Sequence, residues 1–333
     1  MAEAVRSKLS VTVGALLALV TAAPALAGNG GFAPVPPESP GAEGITETWW
    51  IVTAFILGIF VLVEGLLVAF VIRYRRRRRA RDADGAQIHG SNRLETMWTI
   101  APVGILAVIA VVVFAKLPGI SNVPEASAGE ENLVVEVEGR QYYWQYRYPN
   151  GVVAVDTLRA PLGRTVELRL TAPEWDVIHS WWVPALAGKK DAIPGTTNTL
   201  WFAAQRVGTF RGQCAELCGL NHARMWTTVE VLPEAEFDEW LATRREEQTA
   251  GTSPLGEEQW VGVCAKCHRL DGSGGLAAGA RPVTSSALVN DPERMERLLR
   301  GGQRAMPPVG RGWSDEQMQA MTDYLGERFG SGD

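Results

Sequence analysis

Two long apolar runs stand out from an otherwise mixed pattern of hydrophobic and polar positions. They cover residues 49–72 and 96–114, and each is long enough to cross a bilayer as a helix. Seven arginines lie between residues 73 and 81, which by the positive-inside rule places this connection in the cytoplasm. The pattern therefore predicts a transmembrane helical hairpin over residues 47–117, with spans of about 49–72 and 96–116 and both ends on the outer face.

The segment before the hairpin has the parts of a secretory signal peptide. Residues 1–27 begin with basic positions, continue with an apolar stretch and end in Ala25-Leu26-Ala27, an A-x-A cleavage pattern. The polar residues that follow favour cleavage over retention as an anchor. Residues 28–46, rich in Pro and Gly, are expected to form an extended arm.

Beyond the hairpin the hydrophobic pattern changes its period. Residues 131–233 contain alternating or β-branched stretches at 133–138, 165–171 and 226–232, separated by turns that contain Pro and Gly. A stretch of about a hundred residues with this pattern suits a Greek-key β sandwich.

The C-terminal part is predicted to be helical. Residues 234–254 indicate a short helix followed by a linker. Residues 255–330 indicate a small all-α domain with helices at 256–263 and 314–329. A core of this size is marginal by itself, so a large prosthetic group would help to hold it together. The whole chain is thus predicted to be a multidomain membrane protein.

Composition and charge narrow the classes of function. The chain has 333 residues, 46% of them hydrophobic, and a net charge of −5, which argues against nucleic acid as a partner. Two spans are too few for a transport path. The four cysteines are arranged as Cys-x3-Cys and Cys-x2-Cys, each closely followed by a histidine. These spacings are typical of ligand and attachment sites rather than of a disulfide framework.

Residues 264–268 form a C-x-x-C-H motif, the signature of covalent haem attachment. Cys264 and Cys267 would bond the haem vinyl groups, and the spacing places His268 at the iron. Met306 is the best candidate for the opposite axial ligand, where a thioether raises the potential. A thioredoxin-like motif is disfavoured because no βαβ pattern surrounds it. Three other methionines lie in apparent helices and are better explained by core packing: Met295, Met318 and Met321.

A second cluster lies in residues 214–225, where two thiols, an imidazole and a thioether follow one another closely. The four side chains are Cys214, Cys218, His222 and Met225. Soft ligands of this kind favour copper. Zinc, bound by two cysteines and one histidine, is the alternative, but it would leave the thioether unused.

The second thiol of this cluster indicates more than one copper ion. A lone blue copper needs a single cysteine, whereas two ions bridged by both thiols would use the whole cluster if another histidine joined it. His179 is the obvious supplier, because His268 belongs to the haem motif and His89 lies on the cytoplasmic side of the predicted hairpin. A delocalised copper pair on a rigid β scaffold changes shape little on reduction, which is what electron transfer requires.

With both motifs in place, the sequence closely resembles subunit II of cytochrome c oxidase, of the bacterial kind that carries a fused C-terminal class I cytochrome c. The resemblance covers the hairpin, the segment 89–102, the aromatic run 139–144, the copper loop and the haem motif. It implies a cupredoxin-like Greek-key β sandwich followed by a small all-α cytochrome c domain.

The resemblance also implies a dinuclear copper centre, CuA, in which the two cysteines of the loop bridge both ions. His179 and Met225 would complete one ion, and His222 with the backbone carbonyl of Glu216 would complete the other. The Glu216 side chain would reach a magnesium ion at the interface with subunit I.

Further residues take roles from the same resemblance. Tyr142 and Trp144 would lie in the region where electrons enter, and Glu95 matches the glutamate at the mouth of a proton pathway into subunit I; the alternative for Glu95 is an interfacial carboxylate without a role. The family usually has Trp where this chain has Tyr142, and Arg where it has Thr196. A carboxyl at the depth of Glu64 is costly in lipid, so it is expected to face protein or water.

The implied function is that of the subunit through which electrons enter a respiratory cytochrome c oxidase. Electrons would pass from haem c to CuA and on to haem a of subunit I, where oxygen is reduced to water and protons are pumped. Implied partners are subunit I with its haem–copper centre, subunit III, an upstream donor such as a cytochrome c or a bc-type complex, and membrane lipid. Both redox domains would face the periplasm from the bacterial inner membrane. A flexible linker at 248–254 would keep haem c near CuA at an effective concentration in the millimolar range.

Two alternatives stay open. A CuA-containing subunit of a nitric oxide reductase would share the copper ligands, but Glu95 and Glu216 are features expected of the oxidase. A membrane-anchored electron shuttle without an oxidase partner would need only one span, so the hairpin argues against it. A quinol oxidase subunit is excluded, since that branch lacks the copper ligands.

Overall fold

The structure, a computed structural model, describes residues 33–75, 87, 89–125, 131–251, 254–277, 279–304 and 306–330. The predicted signal peptide over residues 1–27 and most of the arginine-rich segment lie outside these residues. The chain divides into two compact units. One is Glu43–Ser121, and the other contains Asn122–Asp333 together with the described residues before Glu43.

The first unit is built from two long apolar helices, α1 (Pro40–Arg75) and α2 (Asn92–Ser121). Both are long and apolar enough to cross a membrane, as the sequence predicts. An ion pair between Lys116 Nζ and Glu47 Oε2, 2.5 Å apart, joins the end of α2 to the start of α1. Residues 40–46 are helical rather than extended as predicted. The helix begins at Pro40, and proline is well suited to the first turn of a helix because an N–H there would have no partner within the helix.

Residues 33–39 are irregular and are tied to the β sandwich. The backbone N–H of Glu38 donates to Ala185 O (2.7 Å), and Glu38 O accepts from Gln205 N (2.9 Å). The Glu38 carboxylate also pairs with Arg206 at 2.8 Å. This part of the predicted arm is therefore anchored along its backbone.

The residues that the structure describes contain ten β-strands. In chain order they are β1 Leu133–Arg140, β2 Tyr143–Arg147, β3 Val153–Val155, β4 Thr157–Pro161, β5 Thr165–Thr171, β6 His179–Trp182, β7 Lys190–Ala192, β8 Asn198–Ala203, β9 Gly208–Cys214 and β10 Trp226–Leu232. They form two packed sheets with strand orders β3-β2-β1-β5-β8 and β4-β10-β9-β6-β7. The pairs β1–β5 and β4–β10 are parallel and the other neighbours antiparallel. The three strands predicted from the sequence are confirmed as β1, β5 and β10.

Alternation along the strands sends one face into a common core. In β5, for example, Val166, Leu168 and Leu170 are buried while the residues between them are not. Trp181 and Phe202 stack across this core with their ring centroids 6.4 Å apart. The period-2 pattern of the sequence therefore corresponds to the packing of one sheet on the other.

Helical segments follow the sandwich. The last of them has a complete capping box between Ser314 and Gln317, which fixes its start at the predicted position. A π-helical turn, Trp260–Cys264, leads into the haem motif, and a 3-10 turn covers Ala287–Asn290. The helices are α3 Glu234–Ala250, α4 Leu255–Gln259, α5 Ala265–His268, α6 Pro292–Gly301 and α7 Asp315–Phe329.

The predicted linker at 248–254 is shorter than expected, because α3 continues to Ala250. Gln248, on its last turn, is buried and pairs with both backbone groups of Val153 on the edge strand β3. Its Nε2 donates to Val153 O at 2.7 Å, and its Oε1 accepts from Val153 N at 3.1 Å. Gly251 then ends the helix in a left-handed conformation with φ of 70°, which glycine adopts without strain.

The helical domain shares its hydrophobic core with the sandwich. Tyr143 of β2 and Val155 of β3 belong to the same buried cluster as Trp260 and Met321. Polar contacts accompany this packing: Trp313 Nε1 donates to Tyr143 Oη at 2.9 Å. The two domains therefore form one continuous packed structure rather than two bodies joined by a tether.

Candidate metal centre and haem-attachment site

The predicted copper ligands converge at one end of the sandwich. His179 is the first residue of β6, Cys214 the last of β9, and the others lie in the loop before β10. The two Sγ atoms are 4.0 Å apart, and the ligand atoms of His179, Cys214 and Cys218 all lie within 4.8 Å of one another. Cys218 Sγ is also 3.6 Å from His222 Nδ1 and 3.7 Å from Met225 Sδ.

The backbone carbonyl of Glu216 joins this cluster, 3.2 Å from Cys214 Sγ. Two backbone hydrogen bonds hold the ends of the loop, from Cys214 N to Met225 O (2.9 Å) and from Ala215 N to Ser180 O (2.8 Å). The strands thus bring together ligands that are far apart in sequence, and the loop supplies the rest. All six residues predicted as CuA ligands are at the cluster.

His179 is oriented by contacts on both sides of its ring. A Cβ on Gly139 would lie 3.0 Å from the His179 ring, so a larger residue there would push the ring from its position. The Nε2 atom is 3.2 Å from Asp176 Oδ1, an outer partner of the kind that fixes the ring of a metal ligand. The Nδ1 atom is buried and has no hydrogen-bond partner among the described residues. A buried nitrogen left unpaired beside two thiols fits a metal ligand.

The two thiols of the cluster change each other's acidity. Their hydrogen bond lowers the pKa of Cys214, with His179 adding to the effect, and the same bond together with burial raises the pKa of Cys218. One thiol is thereby favoured as the thiolate, and the other keeps its proton. Such a pair fits ions that replace the proton and bind both sulfurs.

The haem motif follows the π-helical turn in the helical domain. His268 Nδ1 lies 2.8 Å from Arg281 O, which fixes the tautomer and leaves Nε2 for iron. Met306 and Cys264 both pack against the helical core. A Cβ on Gly302 would come within 2.7 Å of Met306 O, and its φ is 68°, so glycine is required for the turn before Met306.

The alternative methionines occupy different places. Met295 on α6 and Met318 and Met321 on α7 are buried in the helical core. Core packing therefore accounts for them, as the sequence indicated. Met306 lies outside any helix, in the loop between α6 and α7.

The two predicted aromatic residues have different surroundings. Trp144 is fully buried, and its ring meets that of His179 edge-on with centroids 6.1 Å apart. Tyr142 is partly buried, and its hydroxyl accepts from Leu220 N at 3.1 Å. Glu95 lies in the hairpin unit, where it is exposed and accepts from Ser91 N at 3.3 Å near the start of α2.

Several residues around these sites were not singled out from the sequence. Asp176 orients His179, and the signal for it was an acid three positions before a candidate ligand. Lys266, inside the C-x-x-C-H motif, pairs with Asp156 Oδ2 at 2.5 Å. Asn221, next to the predicted ligand His222, contacts Cys267. No sequence pattern indicates the last two, because they are contacts between domains.

Comparison with known proteins gives the same domain order. The family models described as "Cytochrome C oxidase subunit II, transmembrane domain" and "Cytochrome C oxidase subunit II, periplasmic domain" match residues 31–115 and 152–232. A third, "Cytochrome C oxidase, cbb3-type, subunit III", matches residues 253–325.

Relatives extend the match over most of the chain. Cytochrome c oxidase subunit 2 of Alkalihalophilus pseudofirmus is 33% identical over 310 residues, covering 87% of this chain and 88% of that one. Its counterpart in Thermostichus vulcanus is 34% identical over 245 residues, covering 59% and 73%. The crystal structure of the periplasmic domain of subunit II of cytochrome oxidase (CoxB) of Bradyrhizobium japonicum is 32% identical, covering 38% of this chain and 98% of that one, with a TM-score of 0.34.

The chain is therefore a membrane-anchored protein with a periplasmic β-sandwich domain and a cytochrome c domain. The chain belongs to the cytochrome c oxidase subunit 2 family. It is thus a subunit of a haem–copper oxidase, an oxidoreductase, and subunit I is its implied partner. The family implies copper at the CuA cluster, and the cytochrome c domain implies haem c.

Proposed function

We propose that this chain takes electrons from an upstream donor at its cytochrome c domain and passes them through its copper site to haem a of subunit I. Oxygen reduction and coupled proton pumping would then take place in subunit I. The observation that carries the proposal is the shared core of the two redox domains. Because the haem domain packs directly on the copper-binding sandwich, the copper site is a fixed electron acceptor beside it.

At the copper site, the residues divide by their contacts. Cys214 and Cys218 would bridge, His179 with Met225 would complete one ion, and His222 with the Glu216 carbonyl the other. The distances of 3.6 Å from Cys218 Sγ to His222 Nδ1 and 3.7 Å to Met225 Sδ place this thiol within reach of one proposed ligand of each ion. When bound, a copper pair and haem c each supply one-electron redox chemistry.

At the haem site, Cys264 and Cys267 would attach the cofactor, and His268 and Met306 would be the axial ligands. The residues fit the group: the hydrogen bond of His268 Nδ1 to Arg281 O fixes the imidazole. Met306 has the thioether that stabilises ferrous iron.

The remaining assignments concern the assembly. We propose that the Glu216 carboxylate binds magnesium at the interface with subunit I and that Glu95 admits protons from the cytoplasmic side. Tyr142 and Trp144 would lie where electrons pass toward copper. Subunit III, a cytochrome c or bc-type donor and the inner membrane complete the proposal.

A spectrum of the purified complex tests this function. Reduced-minus-oxidised difference spectra of the complex are expected to show haem c, a copper near-infrared band and the haems of a co-purified multi-span subunit. Oxygen uptake should depend on all three. A chain that purifies without a multi-span subunit would favour the electron shuttle, and reduction of nitric oxide in place of oxygen would favour the reductase.

A further inference from the structure

We propose that Asn221 is a positioning residue that couples the copper loop to the haem-attachment motif. This inference rests on the proposed function, because it concerns the step between haem c and copper. Asn221 immediately precedes the copper ligand His222, and its Nδ2 donates to Cys267 Sγ at 2.9 Å. The Asn221 side chain therefore links the copper loop directly to the sulfur of Cys267 in the haem motif.

The local structure leaves the amide of Asn221 free for this contact. Asn221 stands at the N-cap of the 3-10 turn His222–Arg224, yet its side chain makes no capping hydrogen bond. Asparagine at such a position commonly caps the turn. Only 9% of Asn221 is exposed, so the amide points into the interface between the domains. A thioether sulfur still accepts hydrogen bonds weakly, so attachment of haem preserves an acceptor at Cys267.

Contacts on both sides hold the two loops together around this bond. Arg224 Nη1 donates to Lys266 O at 2.8 Å, and Lys266 Nζ donates to Tyr142 O at 2.8 Å. The Tyr142 hydroxyl in turn accepts from Leu220 N at 3.1 Å. These hydrogen bonds close a ring from the copper loop to the haem motif and back, which fixes the position of Asn221 against Cys267.

This arrangement also gives a reason for the tyrosine at position 142. The Tyr142 hydroxyl reaches the backbone of Leu220 in the copper loop, while its carbonyl binds Lys266 of the haem motif. Gln141 Nε2 adds a 2.6 Å bond to Cys218 O. In this chain, Tyr142 lies in the segment proposed to receive electrons, and its backbone is bound by Lys266 of the chain's own haem motif.

The test compares three variants of the full chain in the oxidase complex. Asn221→Leu keeps the size but removes the donor, and Asn221→Gln keeps an amide. Asn150→Leu is the matched control, because its amide donates to Leu241 O at 3.2 Å within the sandwich and α3. Flash reduction of haem c gives the rate constant of electron transfer to copper. Hydrogen exchange of the segment 219–225 reports docking independently of activity.

The Leu variant is expected to slow the transfer several-fold. Because one neutral hydrogen bond is lost, the ratio of docked to undocked states should fall about fivefold, seen as faster exchange of the segment. The Gln variant should recover most of both values, and Asn150→Leu should match the unaltered chain. The near-infrared band and haem c spectrum serve as controls that both sites are filled.

Unaltered rate and exchange in Asn221→Leu would overturn the inference, as would a Gln variant as slow as Leu. If the Leu variant fails to hold copper, Asn221→Ala, which adds no bulk to the turn, takes its place with the same expectations. An unaltered chain in which flash-reduced haem c passes no electron to copper would instead overturn the proposed function.

Discussion

The β sandwich and the helical domain differ in how they support their redox sites. The sandwich has its own core, formed by residues between Leu133 and Phe237. The helical domain completes its core with Tyr143 and Val155 from the sandwich. The predicted copper site has a buried centre, formed by His179, Cys214 and Cys218, whereas the predicted haem ligands His268 and Met306 both keep part of their surface exposed. A self-supporting scaffold thus forms one site, and a domain that depends on its neighbour forms the other.

The dependence of the helical domain is both apolar and polar. Burial raises the pKa of Tyr143 to about 12, so its hydroxyl stays protonated and donates to Val309 O at 3.0 Å. Gln317 Nε2 donates to Gln145 Oε1 at 2.8 Å. Such satisfied buried groups define one docked arrangement, because shifting the domains would leave them unpaired.

Loss of either thiol proposed to bridge the copper ions is expected to have the largest effect. In Cys214→Ser or Cys218→Ser, each copper ion would lose a shared ligand, so the near-infrared band should vanish entirely. Haem c should remain, since its ligands lie in the other domain. Cys267→Ser is the converse variant and should impair haem attachment while copper is retained. A near-infrared band that survives in either sandwich variant would refute bridging.

Replacement of Met306, the proposed axial thioether ligand, should leave haem attached but change its spectrum and its midpoint potential. Met306→Ala is expected to abolish the weak sulfur-to-iron absorption of ferric haem and to lower the midpoint potential. Met295→Ala is the control, because Met295 is 6% exposed in the helical core. That control should cost about 2–5 kcal/mol of stability and keep the absorption band. If Met295→Ala abolished the sulfur-to-iron absorption and Met306→Ala kept it, Met295 would be the axial ligand.

Loss of the ion pair between Lys266 and Asp156 should lower the stability of the helical domain and leave that of the sandwich unchanged. Lys266→Met leaves Asp156 without its partner, and unfolding of the helical domain should become easier by about 3 kcal/mol, the low end for buried pairs since both side chains keep some exposure. Calorimetry of the complex follows the two domain transitions. Arg297→Met, which breaks an exposed pair with Glu293, should change the same transition by less than about 1 kcal/mol. An equal loss of helical-domain stability in the two variants would show that the ion pair of Lys266 contributes no more than an exposed surface pair.

Removal of a single buried tyrosine hydroxyl from either domain is expected to have the smallest effect. Tyr143→Phe leaves the buried Trp313 Nε1 without its acceptor and should destabilise the helical domain by about 1–3 kcal/mol. Tyr148→Phe removes the hydroxyl bonded to both backbone groups of Arg159 (2.8 Å each) and should affect the sandwich instead. Domain-resolved thermal unfolding distinguishes them. If Tyr143→Phe altered only the sandwich, the shared core would not matter to the helical domain.

The sequence predicts the parts of this molecule better than their assembly. Apolar length marks both spans, period-2 alternation marks β1, β5 and β10, and the motif spacings mark the copper and haem clusters. Short-range patterns of this kind are set by backbone geometry and ligand chemistry.

Contacts between domains leave no such pattern. Asn221 and Cys267 are 46 positions apart. In the sequence, Tyr143 cannot be told from other aromatic residues of strands, and only the structure shows that the helical domain covers it. The linker shows the same limit: its composition indicates flexibility, but Gln248 pairs with the edge of β3 and extends the helix. Proximity of the two redox sites therefore comes from a packed interface, and the effective-concentration argument for a loose tether is not needed.

In the proposed function, electrons reach copper through the fused haem domain. The most direct test is oxygen uptake by the complex with a small reductant that reduces haem c, with no added cytochrome c. The full chain should respire, and a chain truncated after Gly251 should lose this activity while keeping the near-infrared band of copper. If the truncated chain respires equally well on the same reductant, the fused haem is not on the main path and another donor feeds copper directly.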